Sequence, residues 1–143
     1  MTGFEENQVW LGTWANVWID GDLMSECTAF RAQLNVSYED VQMARKLMKG
    51  KKVTGIEGEG EIKMHKVSSY ILQKTAADIK KGIVPDITIE SSIQDPSGIG
   101  EERVAVKHVK FEKIPLADWE RGNLGSEDLS FSFSDYETKN LAV

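Results

Sequence analysis

With 143 residues the chain has the length of a single domain, taken here as 1–143, enough to bury roughly two-thirds of its unfolded surface around one core. Hydrophobic residues make up 41% and charged residues 28%, the balance of an ordinary globular chain, and a net charge of -6 removes the attraction to phosphate on which nucleic-acid grip depends. One cysteine, Cys27, and two histidines, His65 and His108, exclude an intramolecular disulfide and the usual structural zinc sets.

The first signal along the chain is three of the four tryptophans, Trp10, Trp14 and Trp18, spaced by four within nine residues. That spacing puts them on one face of a helix or strand, as core filling or as a subunit contact. Val17-Trp-Ile19 followed by Asp20-Gly-Asp22 and Leu23-Met24 predicts a β-hairpin turning on Asp-Gly. From Phe30 to Tyr38, Phe30, Ala32, Leu34, Val36 and Tyr38 alternate with Arg31, Gln33, Asn35, Ser37 and Glu39, the pattern of a long half-buried strand. A second long strand runs from Ile56 to His65, with Glu57, Glu59, Glu61 and Lys63 on its polar face and Gly58 and Gly60 thinning the apolar one. Glycine inside a strand marks a bulge, a bend or the close approach of another group.

Ser68 or Ser69 then caps a helix whose stripe is Leu72, Ala76 and Ile79, with Lys80 and Lys81 at its negative end and Gly82 and Pro85 stopping it. Ile87 to Gln94 predicts a third strand, Arg103 to Lys113 a fourth and Leu129 to Ser134 a fifth. The fourth changes parity: Val104 and Val106 share one face, Val109 and Phe111 the other, so a one-residue bulge near His108 is expected. The outcome is a mainly β (α+β) fold, an antiparallel β-sandwich or barrel of about six to eight strands with one flanking α-helix.

Charge is unevenly placed. Residues 43–56 hold Arg45, Lys46, Lys49, Lys51 and Lys52 and no acid, so all 23 acids lie elsewhere. Such a run reads either as a solvated loop or as a surface that docks head-to-tail on the acidic body of a second copy.

Chemistry finds little footing. Gly50-Lys51 fails as a phosphate loop, because Arg45 stands where glycine is needed and Lys52 where serine or threonine is needed. Gly55-Ile-Glu-Gly58-Glu-Gly60 has its glycines out of order for a dinucleotide loop and acids where a pyrophosphate would sit. A Cys27 pair with His65 or His108 is a weak nucleophile candidate, and Glu57, Glu59 and Glu61, side by side on one strand face, do not converge on a cation. No catalytic residue, no metal and no cofactor is expected, and the chain reads as not an enzyme. No apolar run reaches the roughly 18 residues that span a bilayer. Glu5 and Glu6 stand where a signal peptide carries bases, so no membrane contact and a cytoplasmic origin are expected.

The order of elements resembles a known family. Met48-Lys-Gly-Lys-Lys-Val-Thr-Gly-Ile-Glu-Gly-Glu-Gly-Glu-Ile-Lys-Met-His-Lys-Val-Ser-Ser69 is similar to phage tail tube proteins of the kind found in the PBSX phage-like element of Bacillus. Trp18-Ile-Asp-Gly-Asp22, Gly100-Glu-Glu-Arg-Val104 and Leu129-Ser-Phe-Ser-Phe-Ser-Asp-Tyr136 agree with it, so the resemblance covers about residues 16–138. It implies a tail-tube fold whose strands join neighbours' sheets in a hexameric ring, stacked into the inner tube of a contractile phage tail or a phage-tail-like bacteriocin.

The implied partners are further copies of the chain, a tail sheath protein, and tape measure and baseplate proteins, with DNA passing through the lumen only in a phage. The implied location is a virion tail or tail-like particle assembled in the bacterial cytoplasm. On this resemblance Arg45, Lys46, Lys49, Lys51 and Lys52 are candidate intersubunit contacts. Arg31, Gln33, Asn35, Glu39, Glu57, Glu59, Glu61 and Lys63 are candidates for the lumen wall. The alternatives are a single-ring tail protein, such as a tube terminator or baseplate hub, and an independent β-barrel binding module.

Overall fold

A computed structural model describes residues 6, 11–67, 69–98 and 100–141. Among them, after a 3-10 turn at Gly12–Trp14, are eight strands and one α-helix. These are β1 (Ala15–Ile19), β2 (Asp22–Leu23), β3 (Cys27–Val41), β4 (Gly50–His65), α1 (Tyr70–Lys80), β5 (Ile87–Ile93), β6 (Glu102–Lys113), β7 (Ser126–Phe133) and β8 (Asp135–Asn140).

Every pairing is antiparallel, in the order β2-β1-β5-β6-β7-β4-β3, with β8 also on β6. β6 belongs to two sheets. Its first half pairs with β5 and β8, whereas Lys110, Phe111 and Lys113 pair with β7. The switch falls at His108, where Ile87 faces Val109 but Ile89 faces Val106, leaving one extra residue on β6. His108 takes it up in the left-handed region, φ 55°, and its Nδ1 lies 2.9 Å from Asp86 Oδ2. The parity change read from the sequence is therefore a real bulge, and it buries both Val106 and Val109.

Between the two sheets Val17, Ile19, Ile62, Ile89, Val106, Val109, Leu129 and Phe131 form the core. Phe131 is its centre: Phe30 stacks on it at 6.0 Å, and Phe111 and Phe133 meet it at 6.3 Å. Aromatic neighbours at such separations add to simple area burial. The predicted Asp-Gly hairpin is β1–β2. Asp20 (φ 49°) and Gly21 (φ 86°) both take the left-handed conformation that a tight two-residue hairpin turn requires. Asp20 Oδ1 accepts from the Thr88 amide at 2.9 Å, pinning the turn to β5.

The helix ends as expected, with Gly82 (φ 81°) as the left-handed stop and the Gly82 and Ile83 amides donating to the Ile79 and Asp78 carbonyls. Its buried stripe differs from the expectation. Ile71 and Thr75 are buried, whereas Leu72 and Ala76 are half-buried and Ile79 is exposed. The reason is Tyr70, whose hydroxyl donates to Asp22 Oδ2 (2.6 Å) and lies 3.2 Å from the Ile19 carbonyl, setting the helix's rotation from the hairpin side. Of the two proposed caps, Ser69 precedes the helix without a side-chain cap bond, and Ser68 lies outside the described residues. Trp10 also lies outside them. Trp14 is exposed in the 3-10 turn and Trp18 sits half-buried in β1 beneath Arg103, so these two share no face of one element.

Candidate assembly surface

β3 and β4 are far longer than the strands that cover them. β7 pairs with β4 only from Ser126↔His65 to Phe133↔Gly58. Beyond Gly58 the two long strands continue with no other partner among the described residues, as a two-stranded arm. From Leu34 to Val41 the arm extends about 25 Å at ~3.3 Å per residue. An isolated two-stranded ribbon is marginally stable in water, so the arm's stability depends on what covers it.

The polar face is continuous. Arg31, Gln33 and Asn35 on β3 lie opposite Glu61, Glu59 and Glu57 on β4. Ser130 and Ser132 of β7 extend the row, and Lys63 sits opposite Asp128. Gln33 donates to Glu59 at 2.9 Å, while Arg31 and Lys63 lie 3.5 and 3.4 Å from the Glu61 carboxylate. The Gln33 and Arg31 contacts cross from β3 to β4 and the Lys63 contact runs along β4, and together they offset the repulsion within the exposed glutamate ladder. Glu39 continues the row past a bulge and faces Lys52, and Asp40 faces Lys51.

The opposite face changes character along its length. Over the body it is core, because Phe30 and Ile62 pack against Phe131 and Leu129. Gly60 and Gly58 are buried there: a Cβ at Gly60 would collide with the Arg31 carbonyl and the Phe131 ring, and one at Gly58 with the Phe133 ring. The glycines thus mark close approach, one of the readings open from sequence. Over the arm the apolar face is bare: Leu34, Val36, Tyr38, Val53 and Ile56 are exposed, Ile56 to 60%. The alternation from Phe30 to Tyr38 reads as half-buried, but within one chain only its first part is covered. The signal that exposes the rest is length, since the 16-residue β4, paired along its length with β3, must overhang the eight-residue β7 on its other side.

The five basic residues divide. Arg45, Lys46 and Lys49 lie in the connection at the end of the arm, with Arg45 at φ 62° in a turn closed by the Lys46 amide on the Met43 carbonyl. Lys51 and Lys52 belong to β4, in register with Asp40 and Glu39. The structure therefore brings together the candidate lumen residues on one face and places the basic residues at its far end.

Among the described residues no group of three or more His, Cys, Asp or Glu side chains could hold a metal ion, and no helix is long and apolar enough to cross a membrane. Burial pushes the Cys27 thiol upward, away from the thiolate that a nucleophile needs.

A family model described as "Phage tail tube protein" matches residues 2–140. The chain belongs to the phage tail tube protein family. Tail tube family relatives include the phage-like element PBSX protein XkdM of Bacillus subtilis (strain 168), 28% identical over 128 residues that span 88% of this chain and 87% of XkdM. The fold is that of contractile injection systems. The anti-feeding prophage tube terminating cap aligns with a TM-score of 0.69 at 9% identity, covering 91% of each chain. A chain of the PVC sheath-tube complex in its extended state aligns at 0.64 and 11% identity, covering 90% of this chain and 88% of the other. This tail tube family member has a tail-tube-related structural role.

Proposed function

We propose that the protein, a single tail tube domain over residues 1–143, forms the inner tube of a contractile phage tail or phage-tail-like bacteriocin by stacking hexameric rings around a channel. One observation carries this reading. Among the described residues the sheet β6-β7-β4-β3 has a polar face and two open edges, β3 on one side and the 110–113 half of β6 on the other. Open edges are a liability unless they pair. Joining β3 of one copy to β6 of the next closes this sheet into a barrel and removes both of these edges. A barrel of many strands encloses an aqueous channel.

In that closed barrel the row Arg31, Gln33, Asn35, Glu39, Glu57, Glu59, Glu61 and Lys63 lines the lumen. Its acidic ladder lets a polyanion slide without sticking if the particle carries DNA. The apolar underside of the arm lies on a neighbouring copy, and Arg45, Lys46, Lys49, Lys51 and Lys52 sit at that subunit contact. Sheath, tape measure and baseplate proteins are the further partners in the assembled tail, and the chain catalyses nothing. The likeness to a tube terminating cap supports a second reading, a single-ring tail protein.

Negative-stain electron microscopy with light scattering, across a range of concentrations, separates the two. Hollow rods of uniform width support the tube, and rings that never stack support the single-ring reading. Monomers at every concentration refute both. A Glu59→Cys variant on a Cys27→Ser background tests the lumen: a bulky maleimide should label it slowly in long rods, and labelling as fast as in monomers would contradict the assignment.

A further inference from the structure

The connection at the arm's tip joins charge to bare apolar surface. Arg45, Lys46 and Lys49 flank Leu47 and Met48, which are almost wholly exposed, and no acid lies between residues 42 and 49. None of the ion pairs among the described residues engages these three cations. Apolar side chains left in water beside unpaired charge mark a contact surface.

At the other end of β4 is a second surface that joins bare apolar side chains to charge, here with acids outnumbering bases. A groove of about 260 Å³ opens between the start of α1 and the β6–β7 connection, with Leu72, Pro115, Leu116 and Trp119 among its walls. Leu116 is 76% and Trp119 73% exposed. Inside the groove Glu127 is already neutralised by Lys66. Asp118 of its wall and Glu120, next to Trp119 in the chain, are exposed and take part in none of those ion pairs, while Arg121 lies over the Trp119 ring at 5.6 Å.

The two surfaces cannot meet within one molecule. The groove adjoins His65 and Ser126, which are paired, whereas the tip follows Val41 and precedes Gly50. The whole of β4 separates them, about 50 Å at ~3.3 Å per residue. Complementary patches at opposite ends of a molecule make a heterologous contact, which propagates from copy to copy. Barrel strands tilt by only about 35–45° from the barrel axis, so most of that separation lies along the axis.

We infer that the tip, residues 43–49, seats in the Leu116–Trp119 groove of a copy in the adjacent ring, as the contact that stacks rings. Leu47 and Met48 pack on Leu116 and Trp119, and Lys46 and Lys49 face Asp118 and Glu120. This rests on the tube reading and adds to it the axial partner of the tip.

A charge swap tests the assignment in the full-length protein. Lys46→Glu with Lys49→Glu should raise the concentration needed for rods by at least roughly tenfold and leave rings, and Asp118→Lys with Glu120→Lys should do the same, because like charges then oppose each other at the contact. The chain carrying all four changes should return rods near the wild-type concentration. Circular dichroism of each variant confirms that the fold is kept. Rods unaffected by either pair of changes, or a fourfold variant that does not recover, would overturn the tip-to-groove contact while the tube stands. A groove pair that leaves rods intact while the tip pair abolishes them would mean that the tip seats elsewhere and the groove serves another protein, such as the sheath. Wild-type protein that never forms rods would refute the tube, and the stacking contact with it.

Discussion

Replacing Gly60 with alanine inserts a single methyl at the most crowded point of the sheet. The added carbon would fall well inside contact distance of the Arg31 carbonyl oxygen and the Phe131 ring. Neither neighbour can yield. The carbonyl is backbone of β3, in register with β4 through Ala32↔Gly60. The ring is 1% exposed and hemmed in by Phe30, Phe111 and Phe133. Relief requires local parting of β3 from β4, so the cost belongs at the upper end of the overpacking range, about 3 kcal/mol. For a domain of this size that corresponds to a fall in Tm of roughly 6–12 °C.

Two companion variants give the argument internal controls. At Gly58 the three nearest atoms all belong to the Phe133 ring, a side chain with no backbone atom among them and 8% exposed where Phe131 is 1%, so alanine there should cost less, about 1–2 kcal/mol. At Gly55 nothing lies within 4 Å, and alanine should change stability by no more than about 0.5 kcal/mol, because it also restricts the unfolded chain. Urea denaturation of dilute, unassembled protein, followed by tryptophan fluorescence with the m-values compared, measures all three. Gly60→Ala as stable as Gly55→Ala to within about 0.5 kcal/mol would refute the close-packed account of the glycine strand.

Tyr70 and His108 offer independent tests. Burial, and the bond to the Asp22 carboxylate, hold the Tyr70 phenol above its ordinary range, so the folded state keeps a proton that the unfolded chain releases near pH 10. Wild-type stability should therefore fall as pH rises past about 10, and Tyr70→Phe should flatten that fall while costing about 1 kcal/mol at neutral pH; an unchanged alkaline slope would show that Tyr70 is not its source. Deleting His108 should prevent folding, since removing the bulge turns Val109 and Phe111 outward. His108→Gly should be tolerated to within about 1 kcal/mol, glycine being at ease at φ 55°. A folded deletion variant, seen by circular dichroism and thermal melting, would contradict the bulge's role.

Much of this protein was legible because the relevant physics is local. Period-2 alternation marked five strands, Asp20-Gly21 marked the hairpin turn, Gly82 marked the helix end, and the parity change across His108 located the bulge before any coordinates. The order of these local signals also carried the resemblance that the family match upholds. β8 was missed because all its residues are exposed and carry no period. It is held by backbone pairing with β6 and by ion pairs such as Lys107–Glu137, and such partners are distant in sequence.

What only the tertiary structure decided is where coverage stops. Leu34, Val36 and Tyr38 have the same alternation as Phe30, and no local signal distinguishes a residue under Phe131 from one on the bare arm. That depends on the length of β7, some ninety residues further on. The same holds for the helix, whose rotation is set by Tyr70 on the hairpin, and for the tip and the groove. The sequence by itself determined which residues are apolar, basic or acidic and which face each takes in its strand. Their separation to opposite ends of one long strand arises from register and strand length, which are properties of pairing between distant segments.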